Sequence, residues 1–366
     1  MKPDSRLDPQ AKRQDALRCA LEREGLPGLL VTHLTNICYL TGFRGSAGVA
    51  LFTPRAGVLW VDPRYTLQAQ EQARHVEVIE EKKGLHQAAA EWLTSNRMRR
   101  VGYEAAHLTC ADFARLEQAG GGGVRYLAAA DLVEQLRAVK DEEEVAKIRG
   151  AGKITAAVFA QVLEDLKPGV SESDLAAEIE YRMRKEGAEG VAFETIVASG
   201  PRAALPHARP SSKLLRENEL VIFDLGAILD HYVADMSRTV YLGKPSRRVR
   251  GLYHAVVEAQ QQGVRSVSPG TRAGAIDAVV RRRLARRGLA RFFTHSTGHG
   301  VGMEAHELPR LARREKARLQ ANQVVTVEPG VYVEGWGGIR VEDTILVGSD
   351  GAQVLTPAPK DQWTLE

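Results

Sequence analysis

Cysteine is scarce in this chain of 366 residues: Cys19, Cys38 and Cys110 all lie in the first third, odd in number and without a C-x-x-C spacing. A disulfide framework is therefore not expected, and a reducing cytoplasm is. Long apolar runs are also missing, since no stretch approaches the roughly 18 residues a membrane span needs. The opening M-K-P-D-S-R-L-D-P-Q has no apolar core, so neither a secretory signal nor an anchor is expected. Excess charge is small, with 50 Lys and Arg against 46 Asp and Glu, and the basic runs carry no interleaved aromatics. A nucleic-acid partner is not expected, and the arginine run at 281–287 reads as the solvated face of a helix.

What is present is ordinary soluble composition, 44% hydrophobic and 26% charged, in a chain longer than one core usually serves. Helical patterns at 8–25, 64–74, 85–97 and 111–118 alternate with short apolar pieces. G-L-L-V-T, I-C-Y-L, G-V-A-L-F-T-P, G-V-L-W-V-D-P, V-E-V-I, R-V-G-Y and V-R-Y-L read as strands, the third and fourth as a hairpin. That alternation predicts an N-terminal α/β domain of mostly three layers over residues 1–132. The glycines at 120–123 read as a loop, because no Lys-Ser or Lys-Thr helix start follows.

From about residue 131 a long helix is predicted through A-V-K-D-E-E-E-V-A-K-I-R, so the domain boundary falls within 130–138 and the second domain is 133–366. This domain contains an internal repeat. Pro168-Gly169-Val170 with Leu175, Ile179, Met183 and Gly187 recurs 101 positions later as Pro269-Gly270-Thr271 with Ile276, Val280, Leu284 and Gly288. Each copy is a Pro-Gly turn, a helix start capped at Ser171 or Thr271, one apolar face and a terminating glycine. Two such helix pairs with their strands predict a pseudo-two-fold α+β domain, with helices on one face of a curved antiparallel sheet and a site where the halves meet.

T-H-S-T-G-H-G-V-G-M-E-A-H-E, residues 294–307, groups His295, His299 and His306 among glycines. Buried imidazoles need partners, and this grouping reads as one wall of a metal site. Each half of the repeat supplies a carboxylate pair on a hairpin. In V-I-F-D-L-G-A-I-L-D-H-Y-V-A-D-M-S-R-T, a turn on Leu229 and Asp230 sets Asp224 directly opposite Asp235. In V-V-T-V-E-P-G-V-Y-V-E-G-W-G-G-I-R-V-E-D-T, a turn centred on Gly335 sets Glu328 opposite Glu342. Four carboxylates and one imidazole are a hard donor set, suited to Mn²⁺, Co²⁺, Zn²⁺ or Fe²⁺. A single divalent ion leaves an excess of negative charge, and two neutralise it, which is an arrangement used in hydrolysis.

The strings F-D-L-G, A-D-M-S-R-T, H-S-T-G-H-G-V-G, V-E-P-G and G-I-R-V-E-D resemble the motifs of the "pita-bread" metallopeptidases. That family holds Xaa-Pro dipeptidases (prolidases), Xaa-Pro aminopeptidases and methionine aminopeptidases. The resemblance covers about residues 138–360, while L-T-G-F-R-G-S-A-G and V-D-P-R-Y-T look like the N-terminal domain of its proline-specific members. It implies metal ligation by Asp224, Asp235, His299, Glu328 and Glu342, with two divalent ions, Mn²⁺ foremost, around a bridging water. By motif match it implies Glu328 as general base, His306 as stabiliser of the tetrahedral intermediate, and His207 and His295 as substrate contacts. Tyr332 is expected to line the pocket, and Arg340, beside Glu342 on its strand, to orient a carboxylate or meet substrate. Small peptides with proline second are the implied substrates, with the dipeptidase preferred to the aminopeptidase, and a homodimer is implied. Arg44, Arg202 and Arg209 are candidates for binding a substrate carboxylate. A metal-free creatinase-like hydrolase and a catalytically silent peptide-binding module are the other activities known on this fold, and five intact ligands argue against both.

Overall fold

The structure, a computed structural model, describes residues 8–365; residues 1–7 of the stretch read for a signal sequence lie outside them. The chain divides into two units, Met1–Arg137 and Ala138–Glu366.

In the first unit, α1 (Pro9–Arg23) starts where the Asp8 side chain accepts from the amides of Gln10 and Ala11. The strands are β1 (Leu29–Val31), β2 (Val49–Phe52), β3 (Gly57–Val61), β4 (Glu77–Glu80), β5 (Arg100–Glu104) and β6 (Arg125–Ala129), paired in the order β4-β3-β2-β1-β5-β6. β2 and β3 form the expected hairpin. Both faces of β1 to β3 are buried, which explains their unbroken apolar sequence. I-C-Y-L, expected as a strand, instead lies in α2 (Leu34–Thr41), which ends at Gly42 with φ of 84°. A short apolar run does not distinguish strand from buried helix, and a left-handed glycine terminus decided for the helix. The helices α3 (Thr66–Gln72), α4 (Leu85–Ser95), α5 (Cys110–Gly120) and α6 (Leu132–Arg137) complete the unit.

The long helix expected from residue 131 is broken. α7 (Glu142–Asp165) begins afresh at a capping box, where Asp141 accepts from the Glu144 amide and the Glu144 side chain accepts from the Asp141 amide. It pairs with α8 (Glu172–Lys185), followed by β7 (Gly190–Val191), β8 (Ile196–Ser199), β9 (Glu219–Leu225), β10 (Ala227–Leu229), β11 (Tyr232–Val233) and β12 (Met236–Leu242). The second half supplies the packed helices α9 (Arg247–Arg265) and α10 (Ala273–Ala285), then β13 (Gly298–Gly300), β14 (Glu307–Leu311), β15 (Val324–Val327), β16 (Gly330–Val333), β17 (Gly337–Arg340), β18 (Asp343–Gly348), β19 (Gly351–Val354) and β20 (Thr364–Leu365).

The repeat is structural. The Gly169 amide donates to Leu215 O and its counterpart Gly270 to Leu319 O. Ser171 caps α8 as expected, but Thr271 does not cap α10, because its hydroxyl bonds Ser268 and the cap position falls to Arg272, without a side-chain bond. Strands pair in the orders β20-β12-β9-β8, β11-β10-β7, β14-β13-β15-β18-β19 and β16-β17. The apolar faces of α7 and α8 bury against the β9 and β12 side of this curved sheet, and those of α9 and α10 against the strands of the second half.

A buried ion cluster links β12 and β18. Asp343, wholly buried, accepts from Arg238 at 2.7 Å, Gln260 at 2.8 Å and Lys360 at 2.5 Å. Burial alone raises its pKa, but the charges of Arg238 and Lys360 outweigh burial and hold it below the ordinary aspartate value. Removing one partner of a buried pair leaves the other unpaired, at about 3–5 kcal/mol. Asp343→Ala is expected to lower stability by about that amount, read from the urea midpoint at unchanged slope; a change within about 0.5 kcal/mol would show the cluster to be dispensable.

Candidate active site

Of the four carboxylates, three stand where the sheet ladders are interrupted and Asp224 stands within a ladder. Asp224 is the last residue but one of β9, Asp235 lies between β11 and β12, Glu328 between β15 and β16, and Glu342 between β17 and β18. In the second hairpin the register predicted from Gly335 is found: Gly330 pairs with Arg340 on one side of the break and Val327 with Asp343 on the other, so Glu328 and Glu342 are opposite. The first hairpin turns one residue later than expected. Its turn residues are Asp230 and His231, with φ of 46° and 66°, and Leu229 pairs with Tyr232. Asp and a tolerant imidazole occupy the left-handed positions that glycine usually takes. Asp224 therefore pairs with Ser237, not with Asp235. Continuing that register sets Asp235 across from Gly226, two residues along from Asp224, and so on the same face of the hairpin.

The two halves are sewn together at these breaks. Thr344 Oγ1 donates to Asp235 O and accepts from the Asp235 amide, while the Glu342 amide donates to Ser237 O. Ser237 Oγ donates to Glu342 Oε2 at 2.7 Å. His299 enters from β13, between two glycines that must be glycine: a Cβ would lie 2.0 Å from Thr326 O at Gly298 and 2.1 Å from Leu308 O at Gly300. Ligand atoms of Asp235, His299 and Glu342 all lie within 4.8 Å of one another. His299 Nε2 is 3.6 Å from both Asp235 Oδ2 and Glu328 Oε1.

Burial, with His306 next to it, drives the pKa of His299 down to about 4, so its carboxylate contacts are not ion pairs at neutral pH. Its Nδ1 lies 3.0 Å from Gly300 O, which fixes the proton there and leaves the Nε2 lone pair facing the carboxylates. Burial, then Asp224 nearby, raises Glu342 to about 8. Asp235 and Glu328 also rise well above ordinary values, from burial first and then the charge of Glu342. Asp224 Oδ1 is buried without a hydrogen-bond partner. Neutral imidazole, crowded carboxylates that hold protons and an orphaned carboxylate oxygen together fit divalent cations.

Arg340, 3% exposed, organises the surroundings. Its guanidinium donates to Asp224 Oδ2 at 2.6 Å, Ser237 Oγ at 2.7 Å, Tyr332 Oη at 2.8 Å and Pro206 O at 3.0 Å. Since arginine only donates, the Tyr332 hydroxyl donates its hydrogen bond to His295 Nε2, 2.9 Å away, and His295 Nδ1–H donates to Ser296 O. Burial, then Arg340, lowers the His295 pKa to about 4. His295 Nδ1 also stands 3.6 Å from Glu328 Oε2.

A cavity of about 390 Å³ opens onto Asp224, Asp235, His299, His306 and His207, and is further lined by Phe193, Glu194, Ile196, Ala208 and Arg209. Tyr332 and Arg340, expected at the substrate, line no part of it; every polar group of theirs described above is bonded to protein. Of the arginines proposed for a substrate carboxylate, Arg209 lines the cavity with Nε 3.1 Å from Glu194, whereas Arg202 is tied to Glu172. Phe193, Glu194 and Ile196 had no sequence signal beyond preceding the loop of His207. Ser237 and Thr344 follow Asp235 and Glu342 by two residues, each as the second residue of the next strand, and nothing in their sequence marks them as partners of the site.

Residues 146–349 match the model of metallopeptidase family M24, and residues 13–139 match the creatinase/prolidase N-terminal domain. The chain is 39% identical over 347 residues to an uncharacterized peptidase of Bacillus subtilis, covering 95% of this chain and 98% of the relative. An Xaa-Pro dipeptidase of Pyrococcus horikoshii is 39% identical over 231 residues, 63% of this chain and 66% of that one. Among solved structures, an Xaa-Pro dipeptidase from Bacillus anthracis superposes with a TM-score of 0.94 at 35% identity, covering 97% of this chain and all of the other. An X-Pro aminopeptidase from Thermotoga maritima gives 0.88 at 34%, covering 96% and 99%. The chain shares its fold with these structures, and it belongs to metallopeptidase family M24.

Proposed function

We propose that the protein is an Xaa-Pro dipeptidase that holds two divalent ions on Asp224, Asp235, His299, Glu328 and Glu342. The observation that carries this reading is the convergence of the Asp235, His299 and Glu342 ligand atoms beside the unpartnered Asp224 Oδ1. When bound, the ions would supply a water acidic enough to attack at neutral pH and would polarise the scissile carbonyl. Mn²⁺ is the proposed occupant, with Co²⁺, Zn²⁺ and Fe²⁺ as alternatives from the same donor chemistry. The proposed compartment is the cytoplasm, supported by three cysteines none of which is in a disulfide, and the proposed assembly is a homodimer. Among the described residues no helix is long and apolar enough to cross a membrane.

The side chains divide the remaining work. Glu328 takes a proton from the nucleophile and delivers it to the leaving nitrogen. That delivery matters for proline, whose amide nitrogen carries no hydrogen and departs as a secondary amine only when protonated. His306 and His207, both exposed at the cavity, donate to the carbonyl oxygen as it gains charge. Arg340 holds Asp224 on one side and Tyr332 on the other, and Tyr332 in turn fixes His295 beside Glu328.

Hydrolysis of Ala-Pro beside Ala-Pro-Ala, with Mn²⁺, Co²⁺ and Zn²⁺ in turn, tests the reading. Cleavage confined to the dipeptide is expected; preference for the tripeptide would select the aminopeptidase, and no cleavage of either would sink both. Glu328→Gln is expected to lower kcat by about 10²–10⁴-fold while metal analysis still finds bound ions. Undiminished turnover would remove Glu328 from the role of base. The pH dependence has a definite sign. In the metal-free protein the folded pKa of Glu342, about 8, exceeds the ordinary 4.5, so its contribution to stability is complete below about pH 4.5 and is lost as pH rises through 8. Stripping metal with a chelator is therefore expected to lower the melting temperature more at pH 9 than at pH 6, because the ions replace the protons. An equal loss at both would contradict coupled carboxylates.

A further inference from the structure

Glu172, the first residue of α8, has a side chain with no solvent exposure that none of the roles above uses. Its Oε1 accepts from the Ser199 amide and hydroxyl, both at 2.8 Å. Its Oε2 accepts from Arg202 Nε at 2.9 Å, the Ser211 hydroxyl at 2.7 Å and the Ser211 amide at 3.2 Å. One carboxylate thus closes the neck of the loop spanning 199–211. The tip of that loop carries His207, Ala208 and Arg209 into the cavity, and Pro206 O is held from the other side by Arg340. The position suits an anion, since it lies in the first turn of α8, where the helix dipole favours negative charge.

We propose that Glu172 is a positioning residue that holds the His207 loop against the substrate cavity, coupling the start of α8 to the reaction. The proposal rests on the reading of His207 as a substrate contact. Glutamine at this position keeps the shape but offers an NH₂ to groups that are themselves donors, so one end of the loop neck loses its acceptor. A displacement of about 1 Å at a contact group is enough to cost about 10²-fold in rate.

The experiment is a double-mutant cycle on the metal-loaded full chain with Ala-Pro as substrate. Glu172→Gln is expected to lower kcat/KM by about 10- to 100-fold in the wild-type background and by less than about 3-fold in His207→Ala, because the loop then has no histidine to place. Equal losses in both backgrounds, or none in either, would overturn the proposal. Ser211→Ala keeps the charge of Glu172 and serves as the milder variant should Glu172→Gln fold poorly. In it, amide hydrogen exchange across 199–211 is expected to quicken by about 10-fold, with exchange in β15 and β18 unchanged. Unchanged exchange in the loop would overturn the clamp whatever the activity, and exchange is read even if Ala-Pro proves not to be the substrate.

Discussion

Mutual repulsion among Asp224, Asp235, Glu328 and Glu342 is the constraint to which the rest of the second unit answers. Two like charges 4 Å apart repel by about 4 kcal/mol at an effective dielectric near 20, and here four carboxylates are gathered with burial adding to the cost of charge on three of them. Three of them answer by holding protons far above their ordinary pKa. The fourth, Asp224, has the fixed cation Arg340 on one oxygen and nothing on the other. The Thr344 hydroxyl, bonded to the Asp235 backbone, and the Glu342 amide, bonded to Ser237 O, tie the two hairpins to each other, and Asp343 is held by Arg238, Gln260 and Lys360. Protons on three carboxylates and Arg340 beside the fourth offset the repulsion, which is also what a bound divalent cation would do.

The fold was legible wherever a pattern was local and repeated. The 101-residue recurrence of Pro-Gly, an apolar helix face and a final glycine marked the two halves, and the loop glycines near 335 set a register that the structure reproduces. Errors came where one residue decides between alternatives that look alike. I-C-Y-L is equally apolar as strand or helix, and only Gly42 in the left-handed region shows where the chain turned. The capping box at Asp141 and Glu144 was visible in D-E-E-E, but the charged run around it read as one helix surface. In the first hairpin Asp230 and His231 both adopt positive φ without a glycine, so the turn carries no sign of its position; it falls one residue later than expected and every pairing shifts by two, with Asp224 facing Ser237 instead of Asp235. The slip did not turn either carboxylate away, because it left both on one face, diagonal instead of opposite.

The site itself was legible in its chemistry and obscure in its supports. Carboxylates and imidazoles in apolar strands are costly enough to announce themselves, whereas Ser237, Thr344 and Glu172 look like ordinary strand and helix residues until their partners from distant segments are known. The three histidines of 294–307 show the difference. His299 is the one whose geometry fixes its tautomer toward the carboxylates, through a bond to the adjacent carbonyl of Gly300 that any reader of the sequence would pass over. His295 holds the same tautomer, through Ser296 O, but its Nε2 is taken by Tyr332, and that bond exists because Arg340 has filled the acceptor side of the same hydroxyl. A single guanidinium thus orders Asp224, Tyr332 and His295 and reaches Pro206 beside His207. Tyr332 and Arg340 are therefore better understood as what gives the cavity its direction than as what meets the peptide. Their sequence neighbourhood signalled importance, but only the directions of the hydrogen bonds could assign the kind.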